Sequence, residues 1–326
     1  MKKVFFSAAV IALAFLFLGE ATLFAQKYPE RTISLVVPYP PGGSSDISAR
    51  LFAPYASKKL GQEVIIVNKA GGASSVGTRD VLISKPDGYT LLADGPGPSA
   101  MLPVGLPNLS FDWAKRTFIC RLFLDPMFFI VPADSKFKTL KEVVASAKQD
   151  PKTFKWGTAG GAGISTFTVG QLFRVAGINV RDTRMVSFQS SGKTVIAVAG
   201  GQVDFASGAL TEIQSVEGAG KLKPIAAIMP RRHPSYPDVP TVAEAGFPDV
   251  EMTFWWGVSG PADLPAPIVD RWVRLLQDAS KDPEFLKSSD KIGKVIGYLG
   301  PKEFKAQIMK DYENYKKLAG DIGLSK

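Results

Sequence analysis

The stretch LVVPYPPGGSSDISAR, residues 35–50, joins a strand to a helix through a corner rich in proline and glycine. Its apolar start is typical of a buried β-strand. Ser44 is a residue type that favours a helix start, and Gly61 stands where this helix is expected to end. Pro54 lies inside the helix and is expected to kink or break it.

The same arrangement of strand, glycine-rich turn and helix returns in KWGTAGGAGISTFTVGQLF, residues 155–173. Short strand-like and helix-like segments alternate through the rest of the chain. Such alternation is typical of parallel sheets with helices on their faces. The sequence therefore predicts an α/β fold of two lobes, each a mainly parallel sheet flanked by helices.

The two glycine corners have a chemical consequence. A helix N-terminus leaves backbone N–H groups unpaired and carries a partial positive charge. Glycines before the helix allow a ligand to approach the backbone closely. A carboxylate, phosphate or sulfate suits such a position. Either corner alone could be no more than a tight turn between a strand and a helix. The presence of two such corners predicts two helix starts that face a shared cleft.

Residues 1–25 have the order of a secretory signal peptide. Lys2 and Lys3 precede the apolar run VFFSAAVIALAFLFLG, and small residues follow it. The apolar run is shorter than the ~20 residues that a membrane-spanning helix needs. We therefore expect export to the periplasm, with cleavage near Ala21 or Ala25.

Composition argues against several functions. The formal net charge is +9, but Lys and Arg are scattered among acidic residues, so no nucleic-acid surface is expected. Cys120 and His233 are the only residues of their types, so neither an internal disulfide, nor a conventional zinc site, nor a cofactor is predicted. An exported hydrolase of small esters or amides is an alternative function. It would need His233, which lies in the turn-rich RRHPSYP and is expected to be solvated.

Five segments carry a family resemblance: YPERTISLVVPYPPGGSSDISARLFA, LGQEVIIVNKAGG, KPDGYTLL, AGGQVDF and YPDVPTVAEAGFP. In this order the chain resembles the substrate-binding proteins of tripartite tricarboxylate transporters, the Bug or TctC family. The resemblance implies a non-catalytic, monomeric periplasmic binding protein of the Venus-flytrap type, similar to type II. Its lobes would comprise residues 26–124 with 245–326, and residues 125–244. It would deliver a small organic acid to membrane permease subunits. An alternative function is that of a sensor that binds a ligand and signals to a membrane kinase.

The resemblance also implies a ligand site. In the first lobe it would comprise Tyr39, Pro41, Gly42, Gly43, Ser44 and Ser45. In the second lobe it would comprise Thr158, Ala159, Gly160, Gly161, Ser165, Thr166, Ser190 and Ser191. Trp255 is expected to form part of the cleft wall, Asp46 to organise the first corner, and Asp204 to have a structural role.

One departure from the family concerns the ligand. Asp94 stands near the end of the YTLL strand, where family members usually have a small neutral residue. If Asp94 faces the cleft, it would repel a second carboxylate and favour an ammonium or hydroxyl group. Asp94 therefore favours a monocarboxylate, or an amino or hydroxy acid, over tricarboxylic citrate. The wider expectation is a small organic acid, either a mono- or a dicarboxylate.

Overall fold

Strands and helices alternate in the computed structural model, which describes residues 28–160, 163–218 and 220–323. The strands are β1 (Ile33–Val37), β2 (Val64–Asn68), β3 (Thr90–Asp94), β4 (Arg116–Asp125), β5 (Met127–Pro132), β6 (Lys155–Ala159), β7 (Arg184–Phe188), β8 (Ala206–Ala209), β9 (Leu222–Ile228), β10 (Phe254–Pro261) and β11 (Val295–Leu299). The helices are α1 (Ser44–Leu60), α2 (Ser75–Leu82), α3 (Leu102–Gly105), α4 (Leu140–Gln149), α5 (Ile164–Val175), α6 (Ser191–Ala199), α7 (Leu210–Glu217), α8 (Ala266–Ala279), α9 (Pro283–Lys291) and α10 (Pro301–Asp321). A π-helical turn, Gly97–Met101, leads into α3.

The strands form two sheet systems, which define two lobes. The larger sheet has the order β11-β4-β10-β3-β1-β2. The other lobe contains the sheet β8-β5-β9 and the pair β6-β7, with a parallel bridge from Trp156 to Phe205 between them. The predicted α/β fold of two lobes is confirmed.

The prediction of mainly parallel sheets is wrong, because both lobes contain mixed pairings. β1 is parallel to β2 and β3, whereas β10 is antiparallel to β3 and β4. β5 is antiparallel to both β8 and β9. The physical reason is the path of the chain: β4 leaves the larger sheet towards the other lobe, with only Pro126 between it and β5, and β10 returns from that lobe beside β4.

Large apolar side chains fill both lobes. Phe52, Trp256 and Trp272 lie in the core beside the larger sheet, while Phe129 and Phe205 lie in the core of the other lobe. Each such side chain stabilises the fold by about 1.5–3 kcal/mol when fully buried.

Helix α10 contacts both lobes. Its first turns bury Phe304 against Trp255, and its later turns bring Tyr315 within 5.0 Å of Phe167 in α5, measured between ring centroids. In the part of the chain that the structure describes, no helix has both the length and the apolar character needed to cross a bilayer. The predicted signal peptide, residues 1–25, lies outside that part.

Helix α1 ends where the sequence predicts. Gly61 adopts a left-handed conformation with φ of 71°, and its N–H bonds the carbonyl of Ser57. Pro54, however, does not break the helix, which continues to Leu60. Pro54 and Arg50 are both exposed, so water can serve the Arg50 carbonyl that a proline leaves without its helical partner.

Candidate functional site

A cavity of about 820 Å³ lies between the lobes, and both predicted glycine corners line it. Pro38 and Tyr39, which directly follow β1, form part of one wall. Ala159 and Gly160, at the end of β6, form part of the opposite wall. Ligands of open α/β sheets bind at such carboxyl ends of strands.

The first corner is held by Asp46. Gly42 has φ of +87°, which favours glycine, and its N–H bonds Asp46 Oδ2 at 3.0 Å. Burial opposes ionisation of Asp46, but hydrogen bonds from Arg50, Gly42 and Asn68 together hold its pKa below the ordinary value. Asp46 thus organises the corner, as the sequence predicts. Of the predicted residues here, Tyr39, Gly43, Ser44 and Ser45 line the cavity, while the exposed Pro41 and Gly42 are not among the lining residues.

Glu212 of α7 joins the starts of two helices from different lobes. The backbone N–H of Ser44, the first residue of α1, donates to Glu212 Oε1 at 3.0 Å. The hydroxyl of Ser191, the first residue of α6, donates to the same oxygen. The other oxygen accepts from the backbone N–H of Ala209 at 3.1 Å. A buried carboxylate of the chain itself therefore occupies the position at the start of α1 that suits an anion.

The environment of Glu212 affects its ionisation. Burial raises its pKa above the ordinary value, hydrogen bonds from Ser191, Ser44 and Ala209 oppose this rise, and the charge of Asp125 adds to it. Sequence reasoning did not identify Glu212. Its only local signal is an acidic residue in the first turn of a helix, where the helix dipole favours it.

A buried ion pair lies beside this link. Lys294 Nζ contacts Asp125 Oδ1 and donates to Ser44 Oγ at 2.7 Å, and Ser44 Oγ in turn donates to Asp125 Oδ2. Lys294 is 1% exposed and Asp125 5%. Burial lowers the pKa of Lys294, and the charges of Asp125 and Glu212 oppose that shift. The hydroxyl of Ser44 therefore serves the protein's own network.

In the second corner, some predicted residues line the cavity and others hold the corner in place from behind. Ala159, Gly160, Gly163 and Ile164 line the cavity. Thr158, Ser165 and Thr166, which the sequence places in the ligand site, are fully buried and are not among the lining residues. Their hydroxyls stabilise the corner: Thr158 and Thr166 share a 2.7 Å hydrogen bond, and Ser165 donates to the Ser207 carbonyl. Gly161 lies outside the described residues.

The loop before α6 also reaches the cavity. Phe188, Gln189, Ser190 and Ser191 line it. Ser190 is the N-cap of α6, and its side chain accepts a hydrogen bond from the backbone N–H of Lys193. The predicted Asp204 does have a structural role, since it accepts a hydrogen bond from the backbone N–H of Lys155 at 2.9 Å.

Trp255 does not line the cavity. Its ring is fully buried against Phe304, and its indole N–H donates to Asp311 at 2.8 Å. The preceding residue, Phe254, lines the cavity instead. The helix α10 covers the sheet face towards which Trp255 points, and this packing decides its position.

Asp94 is also not among the residues that line the cavity, so the condition for its predicted role is not met in this structure. Its fully buried carboxylate pairs with Arg116 at 3.1 Å and accepts a hydrogen bond from Ser259 at 2.7 Å. It also accepts from the Ser99 hydroxyl and the Gly95 N–H, at the π-helical turn. Because Arg116 neutralises the charge inside the protein, Asp94 gives no ground for expecting an ammonium group on the ligand.

A third loop, which is not part of the predicted site, also lines the cavity. Residues 70–74 all contribute to the wall. Ala73 and Ser74 have φ of 53° and 81°. Residues other than glycine rarely adopt this backbone conformation, and those that do cluster at functional sites. Ser74 Oγ is buried and makes no hydrogen bond of good geometry with another described residue, although it lies beside the phenol of Tyr39. The glycine pair Gly71-Gly72 was the available signal.

The cavity has positive helix ends but no charged side chain among the described residues that line it. The starts of α1, α5 and α6 and the Ser74 N-cap of α2 all contribute to its wall. The arrangement can therefore hold an anion through backbone N–H groups and hydroxyls.

His233 and Cys120 lie elsewhere. His233 is 8% exposed rather than solvated, and its ring packs edge-on against Phe128, with 6.2 Å between centroids. Burial lowers its pKa. Burial raises the pKa of the Cys120 thiol to about 11. No group of His, Cys, Asp and Glu side chains within the described ranges is arranged to hold a metal ion.

A cavity between two α/β lobes, with several helix starts in its wall, defines the class of two-lobed solute-binding proteins. The chain belongs to a family within this class, described as the tripartite tricarboxylate transporter family receptor, whose TctC model matches residues 48–324. This confirms the family indicated by the sequence motifs. The chain is thus a solute-binding receptor of a family that comprises periplasmic proteins.

Individual relatives agree with this assignment. A protein from the TAR-I ttuE-ttuC' intergenic region of Agrobacterium vitis is 32% identical over 272 residues, covering 82% of this chain and 77% of the relative. The periplasmic binding protein BugD is 27% identical, with a TM-score of 0.83 over 92% of this chain and 100% of BugD. R. palustris Rpa4515 with adipate shares the fold at 24% identity, with a TM-score of 0.86 over 91% of this chain and 98% of that protein.

Proposed function

We propose that this receptor captures a small organic carboxylate in the inter-lobe cavity, without catalysis, and delivers it to the membrane permease subunits of a tripartite tricarboxylate transporter. The observation that carries the proposal is the convergence of helix starts from both lobes on one cavity without charged lining side chains among the described residues. Family membership supports the permease as partner.

Hydrogen bonds from backbone N–H groups can supply the free energy that binding of the carboxylate needs. A micromolar ligand needs about 8 kcal/mol. A charge-assisted hydrogen bond contributes roughly 1.5–3 kcal/mol, and a helix end adds roughly 0.3–2 kcal/mol. Four or five contacts from two corners therefore reach the required range after the cost of ordering the ligand.

We assign ligand contact to the residues that line the cavity at helix starts: Tyr39, Gly43, Ser45, Ser74, Ala159, Gly160, Gly163, Ser190 and Ser191. Ser44 also lines the cavity, but its N–H donates to Glu212 and its hydroxyl contacts Lys294 and Asp125, so neither group is assigned to the ligand. Gly161 stays a proposed contact.

The lobes would close around the ligand by a hinge motion. The strands before Pro126 and from β10 onward belong to the larger sheet, which supports the proposed lobes of residues 26–124 with 245–326 and residues 125–244. The later turns of α10 pack on the second lobe, so this helix would adjust during closure. A monomer suffices, because both walls come from one chain.

The alternative hydrolase lacks support. Its histidine would have to stand beside a nucleophile in the cavity, but the His233 ring packs against Phe128 and Tyr236, and His233 is not among the lining residues.

Native mass spectrometry of protein purified from the periplasm tests the proposal by seeking a co-purified acid. Calorimetric titration with a panel of carboxylates, adipate included, should then show one bound acid per chain and no turnover. Failure of the folded protein to bind any acid, or consumption of the bound acid, would refute the receptor function. Sequencing of the mature N-terminus should locate cleavage near Ala21 or Ala25.

A further inference from the structure

We infer that the ligand is a monocarboxylate with a bulky apolar body, such as an arylalkanoate. This inference rests on the proposed function and specifies the ligand class of the same cavity. The carboxylate would bind at the helix starts, and the body would contact the apolar wall, which we define as Met101, Leu102, Leu106, Ile164, Phe188 and Phe254.

The lining is divided by polarity. The serines of the wall stand at helix starts: Ser44 and Ser45 in α1, Ser74 before α2, Ser190 and Ser191 at α6. The apolar wall comes largely from other elements, with Met101, Leu102 and Leu106 around α3 and Phe254 at the start of β10. An acid with a polar end and an apolar body matches this division.

Leu106 adds a specific observation. It lines the cavity and is 41% exposed, so its side chain offers apolar surface to an occupant. Phe188 and Phe254 are also only partly buried, so their rings offer apolar surface to an occupant of the cavity. Covering such surface stabilises a complex in proportion to its area.

The size of the cavity favours a bulky body. A volume of about 820 Å³ lies in the upper part of the range of roughly 300–1,000 Å³ found for pockets that hold drug-sized ligands. A four-carbon acid would fill a small part of it and would leave the apolar wall in contact with water.

The charges favour a single carboxylate. No Lys or Arg is among the described lining residues. The nearby side chain of Glu212 already takes the Ser44 N–H and the Ser191 hydroxyl, so two donors are removed from the reach of a ligand. A second carboxylate on the ligand would meet repulsion without a lysine or arginine to pair with.

Titration calorimetry on ligand-stripped, refolded full-length mature protein tests the inference. The probes are 3-phenylpropionate, its uncharged amide, malate, adipate and citrate. We expect 3-phenylpropionate to bind at least about tenfold more tightly than each of the other four compounds, because only it offers both one charge and a ring.

Variants locate the contact. Leu106→Ser should weaken 3-phenylpropionate binding by about threefold to tenfold, since it removes apolar contact. Ile83→Ser is the matched control, because Ile83 is another exposed aliphatic residue and does not line the cavity. Equal effects of the two substitutions would overturn the inference.

The outcomes separate the two proposals. Tighter binding of malate, adipate or citrate than of 3-phenylpropionate would overturn the inference and leave the carboxylate receptor intact. Absence of binding to all four acids, with native circular dichroism, would overturn both.

Discussion

The carboxylate of Glu212 accepts a 3.0 Å hydrogen bond from the backbone N–H of Ser44, and this bond connects the second lobe to the first. The two residues are 168 positions apart in the chain. Because Ser44 opens α1, Glu212 is placed where an anion interacts best with a helix start. Separation of the lobes at this point would break the bond and expose both groups to water.

Loss of the Glu212 carboxylate should therefore weaken the closed state. We expect Glu212→Ala to reduce ligand affinity by about threefold to tenfold, because the closed arrangement loses the hydrogen bond between the lobes that the Ser44 N–H donates. Small-angle scattering of the ligand-free variant should show a larger radius of gyration. Glu244→Ala is the control, since Glu244 pairs with Arg232 at the surface. Identical scattering and affinity in the two variants would show that the link does not stabilise closure.

The raised pKa of Glu212 gives stability a pH dependence. A carboxyl group whose folded-state pKa is raised binds more protons in the folded state, so its contribution to stability falls as pH rises from the ordinary value of 4.5 through the raised value. Glutamine does not titrate, so the stability of Glu212→Gln lacks this decline with pH. In a series measured between about pH 5 and about pH 8, the free energy of unfolding of the wild type relative to Glu212→Gln should therefore fall as the pH rises.

Glu244→Gln is the control for this pH series. Hydrogen bonds from Arg232 and Thr241 lower the pKa of the exposed Glu244, so its contribution is lost only as pH falls below that range. Urea unfolding at each pH measures both variants against the wild type. A constant difference for Glu212→Gln across the range would contradict the raised pKa.

The ion pair of Lys294 and Asp125 predicts a large change in stability. Lys294→Met leaves the Asp125 carboxylate buried without its cation, which should cost about 3–5 kcal/mol in the free energy of unfolding. Lys291→Met, on the exposed end of α9, should cost less than about 0.5 kcal/mol. Adding Asp125→Leu to Lys294→Met should recover much of the loss, because no unpaired charge remains. Equal urea midpoints for the two single variants would show that the pair is not buried in solution.

The sequence predicts the local features of the site better than its long-range pairs. The corners around Gly43 and Gly160 are visible because glycine, strand and helix signals adjoin in the chain. The pairing of Asp94 with Arg116 depends on how β4 packs beside the π-helical turn, and local sequence carries no sign of it. Glu212 is likewise paired by tertiary contact, so its role became visible only in the folded chain.

A substitution at Gly43 tests whether the first corner binds ligand. Its φ of −86° accepts a side chain, and an added Cβ would lie 3.8 Å from both Glu212 Oε1 and Ser191 Oγ, so the fold should survive. Gly43→Val should nevertheless weaken ligand binding by about tenfold, because its methyl groups narrow the approach to the α1 backbone. Gly200→Val is the matched control, with φ of −88° at the other end of α6. Affinity equal to the wild type in titration would mean that the corner is only a turn.

A substitution at Asp94 tests whether this residue stabilises the fold or determines ligand specificity. Asp94→Ala leaves the buried Arg116 guanidinium without its carboxylate, so we expect a loss of about 3–5 kcal/mol in the free energy of unfolding. Asp87→Ala removes an exposed pair with Arg31 and should cost less than about 1 kcal/mol. Since Asp94 does not line the cavity, the folded fraction of Asp94→Ala should bind citrate no better than the wild type does. A gain in citrate affinity with unchanged stability would return Asp94 to the ligand site.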